Sequence, residues 1–272
     1  MATPELGSAA ASSGTDRVRA VTDAEATSFQ ENGWVKLPGL VSPAVAGRMR
    51  AWLEDRMGTR AERAGKGRPS SDRFRDMWNK YNSPSEDADL FDAFAKSPEM
   101  GRLGAALSRR TVRFWADTAL IKPPGKGEAG VTPWHQDTPA QPHDRRGLLT
   151  IWLALADIPP ERGTMRFLSG SHREGPLGRP FQEDPTLDYP YVLETYETSP
   201  PLHLAAGDAT VHDGLVCHAA PPNSTDDVRW AYAVSLIDAK TRYTGFPPSW
   251  VADDKGIEVG QPFDHAAFPV LA

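Results

Sequence analysis

The chain has 272 residues, 39% hydrophobic and 24% charged, with a formal net charge of −6 and a single cysteine. This size and apolar content suit a sizeable soluble core, and the acidic balance excludes a general nucleic-acid binder, which carries a basic surplus. One cysteine, Cys217, rules out a disulfide framework or a cysteine-based zinc site; with no apolar run near the ~18 residues of a membrane span and no signal-peptide pattern, the expected location is cytoplasmic.

Residues 1–18, rich in Ala, Ser, Gly and Thr, lack the apolar groups that offset ordering. They are expected to form a disordered tail ahead of one domain over residues 19–272. Thr22 opens a helix with Glu25 as capping-box partner, and Gly33 closes it. Trp34 to Leu40 reads as a short strand entering a Pro38-Gly39 turn. Ser42-Pro43 starts a second helix, with Val45, Met49, Trp52 and Leu53 on one face. Residues 58–83 are polar and basic around Trp78, Asn79 and Tyr81, which suits a surface loop able to close over a substrate. Two amphipathic helices follow within residues 85–109, one carrying Leu90, Phe91 and Phe94, the other Met100, Leu103 and Leu107.

Beyond Arg110 the chain turns to short β-branched and aromatic runs: Thr111–Lys122, Leu148–Ala156, Met165–Leu168, Pro201–Ala205, Ala209–His212 and Arg229–Asp238. With 23 glycines and 25 prolines to turn them, these predict a mainly β fold, an antiparallel sandwich or jelly roll carrying an N-terminal helical layer. A polar insert, residues 173–199, separates two of the strands and carries Phe181, Tyr189, Tyr191 and Tyr196.

The chemistry is expected at His135-Gln136-Asp137. On an extended strand alternate side chains share a face, so His135 and Asp137 would offer two ligands of a facial triad with its opposite side open. Taken alone, the pair is more often an ordinary couple of loop polar residues. Downstream, Gly207-Asp208 marks a turn, His212 ends one strand and His218 begins the return, and Arg229 follows His218 by eleven residues. No nucleophile elbow occurs, nor any glycine-rich phosphate or dinucleotide loop.

H-x-D, a later His and an Arg eleven beyond it, inside a "GD…H…N-S…R" frame, resemble the phytanoyl-CoA dioxygenase family. "ENGWVKLPGLVS", "LIKPPG" and "IWLALADIPPERGTMRFLSGSH" extend the resemblance from about Thr22 to Asp238. It implies a cupin-like double-stranded β-helix and an oxygenase using Fe(II), 2-oxoglutarate and O2. His135, Asp137 and His218 would hold the iron; Arg229 would pair with the distal carboxylate of 2-oxoglutarate as a planar bidentate donor. Trp152 and Thr118 would line the co-substrate pocket.

Ala220 stands where relatives often have a serine, so the missing hydroxyl would come from Thr118 or Thr150. His212 is the competing third ligand, without the arginine spacing. Blander readings make Arg229 a surface ion-pair former, Trp152 core filling, and His143, His172, His203 and His265 surface or second-layer groups. The aromatic inserts suit a bulky cyclic or polyketide-like molecule, hence hydroxylation, epimerisation, desaturation or cyclisation of a small substrate in natural-product biosynthesis. The retained Asp137 speaks against halogenation. Alternatives are a cupin-like isomerase or lyase and a non-catalytic small-molecule-binding protein.

Overall fold

The computed structural model describes residues 18–59, 79–125, 127–177 and 190–271. The expected tail falls outside them except for its last residue, Val18, which is buried in the core. Trp78, Phe181 and Tyr189 also lie outside, with most of residues 58–83 and the middle of residues 173–199.

Helix α1 (Asp23–Asn32) opens on Thr22, whose hydroxyl accepts from the Glu25 amide while the Glu25 carboxylate accepts from the Thr22 amide. Gly33 ends it at φ 76°, a left-handed conformation that suits glycine. Helix α2 (Pro43–Met57) is capped by Ser42 with proline in its first turn. The stretch expected to hold two helices holds three: α3 (Pro84–Asp87), α4 (Asp89–Ala95) and α5 (Pro98–Ser108). A further short helix, α6, spans Tyr191–Thr195.

Among the described residues, nine strands form two antiparallel sheets: β1 Trp34–Leu37, β2 Asn79–Asn82, β3 Val112–Lys122, β4 Thr132–His135, β5 Leu149–Ala154, β6 Arg166–Phe167, β7 Ala209–Asp213, β8 His218–Ala220 and β9 Arg229–Asp238. The larger sheet runs β1-β7-β5-β9-β3-β2 and the smaller β4-β8-β6. This is the mainly β, double-stranded β-helix architecture with its helical layer. Residues 201–205 form no strand; Leu204 makes only an isolated bridge with Ile158. Conversely β2 arises in the segment read as a surface loop. Its residues Asn-Lys-Tyr-Asn have little strand propensity, and the strand exists through pairing with the edge of β3.

Alternation along β9 shows how the strands divide their side chains. Trp230, Tyr232, Val234 and Leu236 face the helical layer, packed with Met49, Leu53, Phe91, Phe94, Leu103 and Leu107. Ala231 and Ala233 face the other way, into a second cluster with Trp152, Ala154, Phe167, Val216 and Ala220. On β9 the bulk therefore sits on the helical side, and its alanines face a cluster that Trp152, Met165 and Phe167 also fill. A third cluster, of Trp115, Tyr243, Phe263 and Phe268, closes one end. None of the described helices is long and apolar enough to cross a membrane.

A buried polar tie fixes the helical layer. The Asp117 carboxylate on β3 accepts from the Ser85 amide (2.9 Å), the Ser85 hydroxyl (2.8 Å) and the Tyr232 hydroxyl (2.7 Å). Burial raises the pKa of Asp117 despite these donors. Replacing Tyr232 with Phe leaves a buried carboxylate short of one donor, at an expected cost of about 1–3 kcal/mol in urea unfolding. An unchanged midpoint would show that the tie carries no stability.

Candidate metal centre

Strands β4 and β8 pair antiparallel with His135 directly opposite His218, bringing the imidazole centroids to 4.0 Å. His135 Nδ1 lies 2.9 Å from the Pro133 carbonyl and His218 Nδ1 3.1 Å from the Val216 carbonyl. A carbonyl only accepts, so each Nδ1 carries the proton and each Nε2 presents a lone pair inward. Burial, followed by the neighbouring His135 and His218–His212 contact, lowers the pKa of His218 well below its ordinary value and keeps it neutral.

Asp137 arrives differently from the sequence expectation. Strand β4 ends at His135, and Asp137 has helical backbone angles, φ −76° and ψ −42°, at the start of a 3₁₀ turn. Strand alternation therefore does not place it on the histidine face; the turn does. Gln136 anchors that turn: its amide donates to the Gly175 and Leu215 carbonyls and accepts from the Leu177 amide. Asp137 Oδ1 ends 3.7 Å from both His135 Nε2 and His218 Nε2. One ligand atom from each of the three residues falls within 4.8 Å of the others.

The second carboxylate oxygen is held from the larger sheet. Thr150 Oγ1 donates to Asp137 Oδ2 at 2.9 Å, and His212 Nε2 lies 3.2 Å from the same atom. Thr150 and His212 are themselves paired across β5 and β7. His212 thus backs the carboxylate rather than replacing His218. The Thr150 hydroxyl is spent on Asp137 and is not the substitute for the serine missing at Ala220. Burial opposes the charge of Asp137, but the facing His218, the His212 hydrogen bond and His135 outweigh it, and the carboxyl is held well below the usual range.

Arg229, at the start of β9, is 2% exposed, so it is no surface ion-pair former. It donates to the Gly163 carbonyl at 2.7 Å, its Nε has no partner, and its guanidinium lies 5.2 Å from the Trp152 ring centre. Trp152 is buried in the inner cluster with its indole N–H unpartnered, so it both fills the core and borders Arg229. Thr118 is half-buried on β3 opposite Ala233 and makes one long contact, 3.4 Å, with Asn82 Oδ1. His143 is half-buried and edges Trp115, and His172 is buried under Gly33. His203 and His265 are exposed.

Two lysines were missed. Lys80 on β2 feels the Asp137 charge, which offsets part of the lowering that burial imposes on its pKa. Lys122 on β3 is Arg229's cross-strand partner and fully buried. Lys80 depends on the β2–β3 register and Lys122 on the β3–β9 register, and neither is visible within one segment. Tyr81, expected near the substrate, instead packs on Trp52 toward the helical side and donates to Asp87.

Fold and centre together define a double-stranded β-helix protein with a His–Asp–His metal-binding face. A family model described as Phytanoyl-CoA dioxygenase (PhyH) matches residues 29–231, and the chain belongs to that family. Dioxygenase easH of Epichloe festucae var. lolii is 32% identical over 113 residues, 39% of this chain and 54% of that protein. The chain spans about half the length of the curated relatives it matches. Among solved structures, the non-heme alpha ketoglutarate dependent carbocyclase SnoK from nogalamycin biosynthesis shares the fold at TM-score 0.78 and 23% identity, over 96% of this chain and 100% of that one. The epimerase SnoN, in complex with Fe3+, alpha ketoglutarate and nogalamycin RO, does so at TM-score 0.76 and 23% identity, over 92% and 98%.

Thr150→Val removes the shorter bond to Asp137 Oδ2. Metal affinity, followed through the visible bands of Co(II), is expected to fall about 10- to 100-fold. Unchanged affinity would mean that Asp137 needs no support from the larger sheet.

Proposed function

We propose that this chain is an Fe(II)- and 2-oxoglutarate-dependent oxygenase that acts on a small organic molecule, as a tailoring enzyme of natural-product biosynthesis. The observation that carries the reading is the pairing of an inward-facing His135–Asp137–His218 set with a buried arginine, Arg229, that has no carboxylate partner among the described residues. The donor set fits a divalent iron: two neutral imidazole nitrogens and one ionised carboxylate oxygen converge, and the opposite side is left open.

Each residue then has a task. His135 and His218 would ligate through Nε2, and Asp137 through Oδ1, because Oδ2 is engaged by Thr150 and His212. Arg229 would receive the distal carboxylate of 2-oxoglutarate; its guanidinium reaches along the inner face to Trp152, two residues from Thr150. Ala154, Ala231 and Ala233 leave room for the co-substrate between these ends. Thr118 and Trp152 would border it, with Lys80 inside the field of Asp137. Bound iron would supply the oxidation, converting 2-oxoglutarate, O2 and a substrate C–H into succinate, CO2 and C–OH or its rearranged equivalent. The protein's share is to hold the reactants and exclude water.

The likeness to SnoK and SnoN, both from nogalamycin biosynthesis, supports a bulky cyclic substrate. Neither a cupin-like isomerase nor a non-catalytic binding protein requires a buried arginine that has no carboxylate partner among the described residues. Anaerobic addition of Fe(II) and 2-oxoglutarate is expected to give a weak visible band at roughly 500 nm, and His218→Ala to abolish both the band and succinate formation. Full succinate formation in His218→Ala would overturn the ligand assignment. Zinc binding with no band from iron would favour the isomerase or lyase.

A further inference from the structure

Lys122 and Arg229 are direct cross-strand partners, both nearly or wholly excluded from solvent. Burying one cation without a counter-ion costs several kcal/mol or shifts its protonation. Two side by side are a stronger signal, because each also raises the cost of the other. Gly163, on the neighbouring turn, passes so close that an added Cβ would meet the Lys122 side chain and the Pro221 carbonyl, so the pair is enclosed.

The surroundings of Lys122 suit an amine that changes protonation. Its Nζ lies 2.8 Å from the Pro221 carbonyl, 3.4 Å from the Ala220 carbonyl and 3.2 Å from the Thr132 hydroxyl. A neutral amine has two hydrogens for the two carbonyls and a lone pair that can accept from Thr132. An ammonium has a third hydrogen, which Thr132 accepts after its hydroxyl rotates. Both states are therefore satisfied by the same atoms. Among the described residues, the charged group acting on Lys122 is Arg229 on β9; β4 presents only the Thr132 hydroxyl, β8 and its turn only carbonyls, and Gly163 no side chain.

We propose that Lys122 is the second cation of the co-substrate site, completing with Arg229 a pocket for a dicarboxylate and gaining a proton when the distal carboxylate arrives. It occupies the neighbourhood where Ala220 lacks a hydroxyl, touching that residue's own carbonyl. Burial, and then Arg229, lower its pKa to about 6, so the free site is mostly neutral there at pH 7.5. An entering carboxylate favours the charged form and raises that pKa. The linkage sign follows: above pH 6, affinity for the dicarboxylate falls as pH rises, by up to about tenfold per unit. This inference rests on the reading of Arg229 as the carboxylate anchor.

The test is anaerobic calorimetry of the iron-loaded protein with 2-oxoglutarate at pH 7.5, in two buffers of different ionisation enthalpy. Close to one proton is expected to be taken up per site, and none with 2-oxobutyrate, which lacks the distal carboxylate. Lys122→Met is expected to lose the uptake and at least tenfold in 2-oxoglutarate affinity, with 2-oxobutyrate binding within twofold of normal. Lys122→Arg should restore affinity without proton uptake. Binding by the unaltered protein with no proton uptake, or undiminished affinity in Lys122→Met, overturns the proposal. The unaltered protein decides the matter even if the Met variant fails to fold. Arg229→Met separates the two readings: if it keeps full 2-oxoglutarate affinity, the anchor assignment itself fails.

Discussion

The two oxygens of the Asp137 carboxylate are the joint on which this structure depends. One faces His135 and His218, which come from the small sheet; the other is gripped by Thr150 and His212, which come from the large one. A single side chain is thereby fixed from both sheets, and its free oxygen is aimed by the bonds on its partner. The demand propagates outward. Gln136 must hold the turn that lifts Asp137 off the strand direction, and the β5–β7 register must keep Thr150 opposite His212.

The division of bulk between the faces of the large sheet serves the same end. Rings and long aliphatics pack outward against the helices, where burial of apolar area supplies most of the stabilisation at about 25 cal/mol per Å². The inner face carries alanines at Ala154, Ala231 and Ala233 beside Trp152, on the side where the buried cations Lys122 and Arg229 pair.

Local signals in the chain were reliable where the energetics are local. The Thr22–Glu25 capping box, the Ser42-Pro43 start and the Arg229–Asp238 strand all reappear within a residue or two. Strand β2 did not, because Asn79–Asn82 owes its conformation to β3 and not to its own residues. Lys80 went unnoticed with it, and Tyr81 packs on Trp52 rather than by the substrate. A one-residue register decides which of them faces the metal side and which faces Trp52, and a lone edge strand of polar residues has no hydrophobic pattern to announce it.

Sequence by itself determined the residue types and order of the centre: H-x-D, the distal His218 and the arginine eleven residues later, on a β-rich chain with helices in front. Those depend on chemistry that only a few side chains can perform, so they stand out in one dimension. Only the tertiary structure decided how the residues are used. It put Asp137 in a turn rather than on a strand, turned His212 and Thr150 into supports for its carboxylate, and set Lys122 beside Arg229. Each of these is a contact between strands far apart in the chain, and its energy lies in burial and pairing that no single segment contains.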